Sequence, residues 1–214
     1  MESNQPADLL IFGAGGHAKA ASDCARSLYP RQLMLGGGAG GQWRDIPILP
    51  QSAQTLAEWK AQCPLAFVAI GDGALREAVL SSLEAAGFTL VTLVHPSAAV
   101  SPSARLGPGT MVGPRAAVNA DAQIGKGCIV NTGAIVEHDC RVGDFSHISP
   151  GAVLGGGVIL GARCWVCLGA AVSDHVEIGP RTTVGAGAAV LSSLPGGVLA
   201  AGVPAVIRKR FSSI

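Results

Sequence analysis

The stretch Ile124-Gly125-Lys126-Gly127-Cys128-Ile129-Val130-Asn131-Thr132-Gly133-Ala134-Ile135-Val136-Glu137-His138-Asp139-Cys140-Arg141-Val142 carries an aliphatic residue at every sixth position. Outward from it the series runs without a slip: Val94, Val100, Leu106, Val112, Val118 before Ile124, and Ile148, Leu154, Leu160, Val166, Val172, Ile178, Val184, Val190 after Val142. At roughly one-in-four odds per position, chance would produce so long a run with a probability on the order of 10⁻¹⁰. Small or short branched residues stand two positions before the aliphatic ones, as at Ala104, Thr110, Cys128, Ala134, Cys140 and Ser146. Glycine often follows directly, as at Gly107, Gly113, Gly125 and Gly143. Side chains alternate along a strand, so the aliphatic residue and the small one two before it both point inward. The remaining positions of each hexad turn a corner. Three such sides close a coil of about eighteen residues, with successive coils about 4.8 Å apart, a β-solenoid built from hexapeptide repeats.

Residues 1–93 read differently. Leu9-Leu10-Ile11-Phe12 is a buried-strand run, followed by a helical stretch from about His17 to Leu28. Gln32–Leu35, Ile46–Leu49 and Ala66–Ile70 predict further strands, and helices are predicted around Leu56–Lys60 and over Leu75–Ala86. In the last of these, Leu75, Ala78, Val79, Leu83 and Ala86 fall on one expected apolar face. Alternating β and α units imply a small α/β Rossmann-like parallel sheet with helices on its faces. The chain therefore divides into residues 1–93, a solenoid over 94–190, and a loop and tail over 191–214.

Composition narrows the function. Of the 214 residues 49% are hydrophobic and 14% charged, with a formal net charge of +1, which excludes a disordered chain. The one dense basic cluster is Arg208-Lys209-Arg210, too little for nucleic acid as a partner. No apolar run is long enough to span a membrane. Met1-Glu2-Ser3-Asn4 lacks the basic start of a secretion signal, and six dispersed cysteines suit reduced thiols, so the expected compartment is the cytoplasm.

A repetitive scaffold takes its function from residues that break its bland surface. His138 occupies a corner. Steps of one coil give the column Ala120-Asp121, His138-Asp139, Gly156-Gly157, Asp174-His175. An imidazole and a carboxylate thus lie next to a glycine pair, which predicts an open slot with accessible backbone amides and a base at its edge. Either Asp139 or Asp121 is placed to orient His138.

The segment Asn131–Cys140, continued by Gly143-Asp144-Phe145-Ser146-His147-Ile148-Ser149-Pro150-Gly151, resembles the PglD/NeuD family of sugar acetyltransferases. Gly13-Ala14-Gly15-Gly16-His17 and Ala201-Gly202-Val203-Pro204-Ala205 extend the resemblance over nearly the whole chain. It implies a nucleotide-sugar-binding N-terminal domain before a left-handed parallel β-helix, assembled as a homotrimer with sites between subunits. It also implies acetyl-CoA-dependent N-acetylation of a nucleotide-linked 4-amino sugar, without acyl-enzyme or metal. His138 would be the general base and Asp139 would raise its basicity, while His147, Gly156, Leu168, Ala186 and Gly202 would meet acetyl-CoA. A backbone amide near Gly156 would hold the thioester oxygen. Gly15, Gly16, His17, Asp72 and Asn131 would contact the sugar nucleotide, and Arg208, Lys209 and Arg210 the CoA phosphates.

Gly13-Ala14-Gly15-Gly16-His17-Ala18 fits the pyrophosphate-binding pattern G-x-G-x-x-A between strand and helix. The next strand ends Leu35-Gly36-Gly37-Gly38 without the carboxylate that a nicotinamide cofactor requires. The family often carries an acidic pair there, so nucleotide recognition in this chain departs from its pattern. Cys128, Cys140 and Cys164 fall in inward slots, which argues against zinc at Cys164-Trp165-Val166-Cys167 and against Cys140 as an acyl carrier. Other readings remain: O-acetylation of a sialic-acid-type sugar, a γ-type carbonic-anhydrase-like zinc site from His138, His147 and His175, and a non-catalytic nucleotide-binding module.

Overall fold

The computed structural model describes residues 7–211, and the Met1–Asn4 segment read for a secretion signal lies outside them. The chain forms two compact units, Met1–Leu93 and Val94–Ile214.

In the first unit the elements run β1 (Leu9–Phe12), α1 (Gly16–Ala25), β2 (Gln32–Gly36), β3 (Gly41–Trp43), β4 (Ile46–Pro50), α2 (Leu56–Gln62), β5 (Leu65–Val68), α3 (Gly73–Ala85) and β6 (Thr89–Leu90). The sheet order is β3-β4-β2-β1-β5-β6, parallel except for the β3–β4 hairpin. All four residues of β1 are buried, as a central strand covered on both faces must be. Strand β3 was hidden in a glycine-rich stretch that reads as loop. The apolar face expected on α3 is corrected: Leu75 is 54% exposed, and the buried positions are Arg76, Leu80 and Leu83. Arg76 can turn inward because its Nη1 donates to the carbonyls of Ile70 and Gly71, each at 2.8 Å.

The second unit is a left-handed parallel β-helix. Its two-residue strands run from β7 (Leu93–Val94) to β23 (Ala189–Val190), and every one ends on an aliphatic position of the six-residue series. Pairing follows a one-coil register, for example Ile129↔His147↔Trp165 on the first face and Ile135↔Val153↔Ala171 on the second. The third face stacks Gln123↔Arg141↔Ile159. The inner residues form one continuous core. Polar residues in the small inward slots are satisfied by the neighbouring coil: Thr110 Oγ1 donates to Gly125 O at 2.8 Å, Ser146 Oγ to Gly161 O at 2.9 Å and Cys140 Sγ to Gly155 O at 3.1 Å. Every corner from Gly109 to Gly187 has one residue at positive φ, and these include Arg115, Asp121, Asp139, Phe145 and His175 as well as glycines. That left-handed residue lets a short strand turn onto the next face.

The segment after Val190 is not the expected loop and tail. β24 (Val198–Ala201) adds to the first face parallel to β22 (Thr183–Val184), and β25 (Val206–Arg210) returns antiparallel along it. Inward Val198 and Ala200 continue the core, and Gly202, at φ +106°, makes the turn. Arg208, Lys209 and Arg210 therefore lie on an edge strand, where cations discourage further strand pairing.

Candidate functional site

His138 follows β14 (Ile135–Val136) at the corner between the second and third faces. Its Nδ1 lies 2.8 Å from Asp139 Oδ2, and both side chains are more than half exposed. Alternation along a strand would send adjacent side chains to opposite sides. Asp139 escapes that rule because it is the left-handed corner residue, at φ +60°. Asp139 is thus the carboxylate that is hydrogen-bonded to His138. The carboxylate holds the proton on Nδ1 and leaves the lone pair on Nε2. The hydrogen bond to Asp139 raises the imidazole pKa above its ordinary value of 6.5, and the charges of Asp139, Glu137 and Asp174 add to the rise.

The expected slot beside the base is occupied. A Cβ on Gly156 would lie 2.8 Å from both Cε1 and Nε2 of His138, and one on Gly157 would lie 2.5 Å from His175 Nδ1. The two glycines are therefore seats for two imidazoles. The Gly156 amide donates to Asp174 Oδ1 at 2.9 Å. A carboxylate two coils on from His138 thus satisfies this donor.

A second cluster lies on the first face. His147, in β16 (His147–Ile148), has its Nε2 3.1 Å from Asn131 Nδ2, while Asn131 Oδ1 accepts the Thr132 N–H at 2.8 Å. With its oxygen so engaged, Asn131 donates to Nε2 of His147, which places the His147 proton on Nδ1. Asn131 is thus tied to His147. The His147 ring stacks on Trp165 at 6.1 Å and 7°, and Trp165 Nε1 donates to Ser149 Oγ at 2.8 Å. Leu168 and Ala186 are exposed and successive in one corner column, since the Gly187 N–H donates to Leu168 O. One chain does not bring His138 and His147 together: the strand of the third face, Arg141–Val142, runs between the His138 corner and the first-face strand that carries His147. Among the described residues no three His, Cys, Asp or Glu side chains of one chain gather as a metal site. Cys164 is buried, which pushes its thiol up to about 11.

In the first unit, Gly15 is the N-cap of α1 and has no side chain to occupy the first-turn amides, which Gly16 continues. Gly13 is required there, since a Cβ would lie 2.6 Å from Ala69 O. His17 Nε2 is buried without a hydrogen-bond partner, and burial, then the charge of Arg76, pushes its pKa down to about 4. His17 is neutral at pH 7. Asp72 serves the fold as the N-cap of α3, accepting the Leu75 N–H at 2.8 Å. Gly36 and Gly37 border a recess lined by Gln51, Ser52, Gln54 and Leu56. Sequence reasoning missed these side chains, which no motif marks. It also missed Trp165 and the part played by Asp174, although each lies whole coils from a histidine already singled out: Trp165 one coil beyond His147, Asp174 two beyond His138.

Known proteins resemble this arrangement throughout. The PglD N-terminal domain model matches residues 8–83, and the bacterial transferase hexapeptide model of six repeats matches residues 121–156. The structure of PerB from Caulobacter crescentus in complex with CoA and GDP-perosamine is 41% identical, with a TM-score of 0.89, covering 94% of this chain and 97% of that one. The acetyltransferase domain of PglB from Neisseria gonorrhoeae, in complex with acetyl coenzyme A, is 34% identical with a TM-score of 0.87, covering 94% and 99%. WeeI from Acinetobacter baumannii, 23% identical with a TM-score of 0.76 over 94% and 99%, shares the fold. With its small parallel sheet, its hexapeptide coils and a histidine–carboxylate pair on one corner, this chain belongs to the PglD/NeuD-like family of sugar acetyltransferases.

Proposed function

We propose that this chain transfers the acetyl group of acetyl-CoA to the amino group of a nucleotide-linked amino sugar, with His138 as general base. The observation that carries the mechanism is the 2.8 Å contact of His138 Nδ1 with Asp139, which leaves Nε2 as a proton acceptor on an exposed corner. The amine nitrogen attacks the thioester carbonyl carbon and its proton passes to Nε2. The C–S bond then breaks, and the departing thiolate takes that proton from the imidazolium. No acyl-enzyme forms, and Cys140, buried with its thiol pKa raised by burial, takes no part.

A site that uses both His138 and His147 draws them from neighbouring copies, which supports a homotrimer with active sites between subunits. His147, held by Asn131, meets acetyl-CoA there. Exposed Leu168 and Ala186 line its route, the Gly202 turn lies near its adenine end, and Arg208–Arg210 meet its phosphates. The Gly15–Gly16 amides and the recess at Gly36–Gly37 receive the nucleotide. PerB, bound to GDP-perosamine, favours a GDP-linked 4-amino sugar. Acetyl-CoA as donor and six free cysteines accord with work in the cytoplasm.

The test is acetylation of GDP-, UDP- and CMP-linked amino sugars beside their hydroxy analogues, with release of free CoA as readout. Turnover of an amino sugar and not of its hydroxy analogue is expected. Preference for the hydroxyl would replace N-acetylation with O-acetylation, and stabilisation by a nucleotide sugar without turnover would leave a binding module.

A further inference from the structure

We infer that Asp174 is a positioning residue for His138, acting through the backbone of Gly156 and through its own negative charge. The inference rests on the acetyltransferase reading. The register Val136↔Leu154↔Val172 stacks His138, Gly156 and Asp174 in one column, a coil apart. The His138 ring lies against Gly156 so closely that a Cβ there would sit 2.8 Å from Nε2. From the other side Asp174 Oδ1 accepts the Gly156 N–H at 2.9 Å, and the same oxygen leaves no room for a Cβ on Gly155. The Gly156–Gly157 turn is also tied below, by the Gly157 N–H on His138 O at 2.9 Å, and above, by the His175 N–H on Gly156 O at 2.8 Å. The surface against which the base rests is therefore fixed by Asp174 and its neighbour.

Charge gives Asp174 a second role. The charged groups acting on His138 are Asp139 and Glu137 from its own turn and Asp174 from two coils on, while Asp121 lies one coil below Asp139 and the His175 ring rests on Gly157. Asp174 adds a negative charge on the Gly156 side of the ring, whereas Asp139 holds Nδ1. An imidazolium is stabilised by both.

The fold supplies its own control. Asp144 accepts the Lys126 N–H at 2.8 Å, the same one-coil bond at a different corner. A bond that only fastened coils would have equal consequences at the two places. Asp174→Asn keeps an oxygen to accept the Gly156 N–H and removes only the charge, and Asp144→Asn does the same at the other corner.

The experiment is an NMR pH titration of the labelled histidine rings of the full-length protein, the His138 signal being assigned by its loss in His138→Ala. Asp174→Asn is expected to move the His138 midpoint to lower pH, and Asp144→Asn to leave it in place. In steady-state assays Asp174→Asn moves the acid limb of kcat/KM in the same direction and lowers the plateau by roughly two- to fivefold. Asp174→Ala, which also strands the Gly156 amide, lowers it further. An unmoved His138 midpoint in Asp174→Asn, or an equal movement in Asp144→Asn, overturns the inference. The titration needs no substrate, so a wild-type protein that transfers no acetyl would refute the acetyltransferase reading while the titration still judged Asp174.

Discussion

His138 Nδ1 and Asp139 Oδ2 meet at 2.8 Å only because Asp139 turns the corner at φ +60°. Asp139 thus performs two tasks, one in the coil and one on the imidazole. Its hydrogen bond raises the His138 pKa, so the neutral base is available only above a pH higher than that of an ordinary histidine. The acid limb of kcat/KM is expected above pH 6.5, the ordinary value. Asp139→Asn should shift that limb to lower pH and reduce the plateau by at least about tenfold. A pH–rate profile of the two proteins checks both.

The adjacent glycines should fail in different ways. Gly156 has no positive φ, and the atoms nearest its added Cβ belong to an exposed ring. Gly156→Ala is therefore expected to displace His138, lowering kcat by at least about tenfold with the melting temperature nearly unchanged. Gly157 sits at φ +66° with His175 against it. Gly157→Ala should cost about 1–2 kcal/mol of stability. Paired thermal melts and initial rates separate the two.

Acid should weaken the protein through His17. Its folded pKa, pushed down to about 4, lies below the ordinary 6.5. The neutral form is thus favoured by folding, and that stabilisation is complete above pH 6.5 and is lost as pH falls toward 4. The loss amounts to about 3 kcal/mol. Urea melts between pH 7 and 4 should show this slope, and His17→Asn should flatten it.

Core packing of the coil beside His138 is open to the same kind of test. Leu154 is fully buried in the strand that pairs with β14. Leu154→Ala should cost about 2–5 kcal/mol, read as a fall in the urea midpoint.

The solenoid was legible because one side of a strand must be apolar in every coil, and the series from Val94 to Val190 records each such position. Its corners were less so. Gly133 or Gly151 announces a left-handed turn, but Phe145 and Arg115 adopt the same φ with no local sign of it. On α3 the expected face failed because carbonyls of the loop after β5 make a charged Arg76 acceptable inside, which hydrophobic spacing cannot foresee. The His138–Asp139 pair was readable from adjacency and chemistry. The engagement of Gly156 by Asp174 was not, since the sequence gives their stacking and not the direction of the carboxylate. The tail escaped because Val206–Arg210 has no apolar alternation and owes its strand to pairing with β24.

The central claim is that Nε2 of His138 takes the proton of the attacking amine. Its most direct test compares wild type and His138→Ala in acetyl transfer from acetyl-CoA to a nucleotide-linked amino sugar, with thermal shifts by acetyl-CoA measured alongside. A loss of turnover of at least about 10² with an undiminished acetyl-CoA shift is expected. Turnover by His138→Ala within a few-fold of wild type would contradict it.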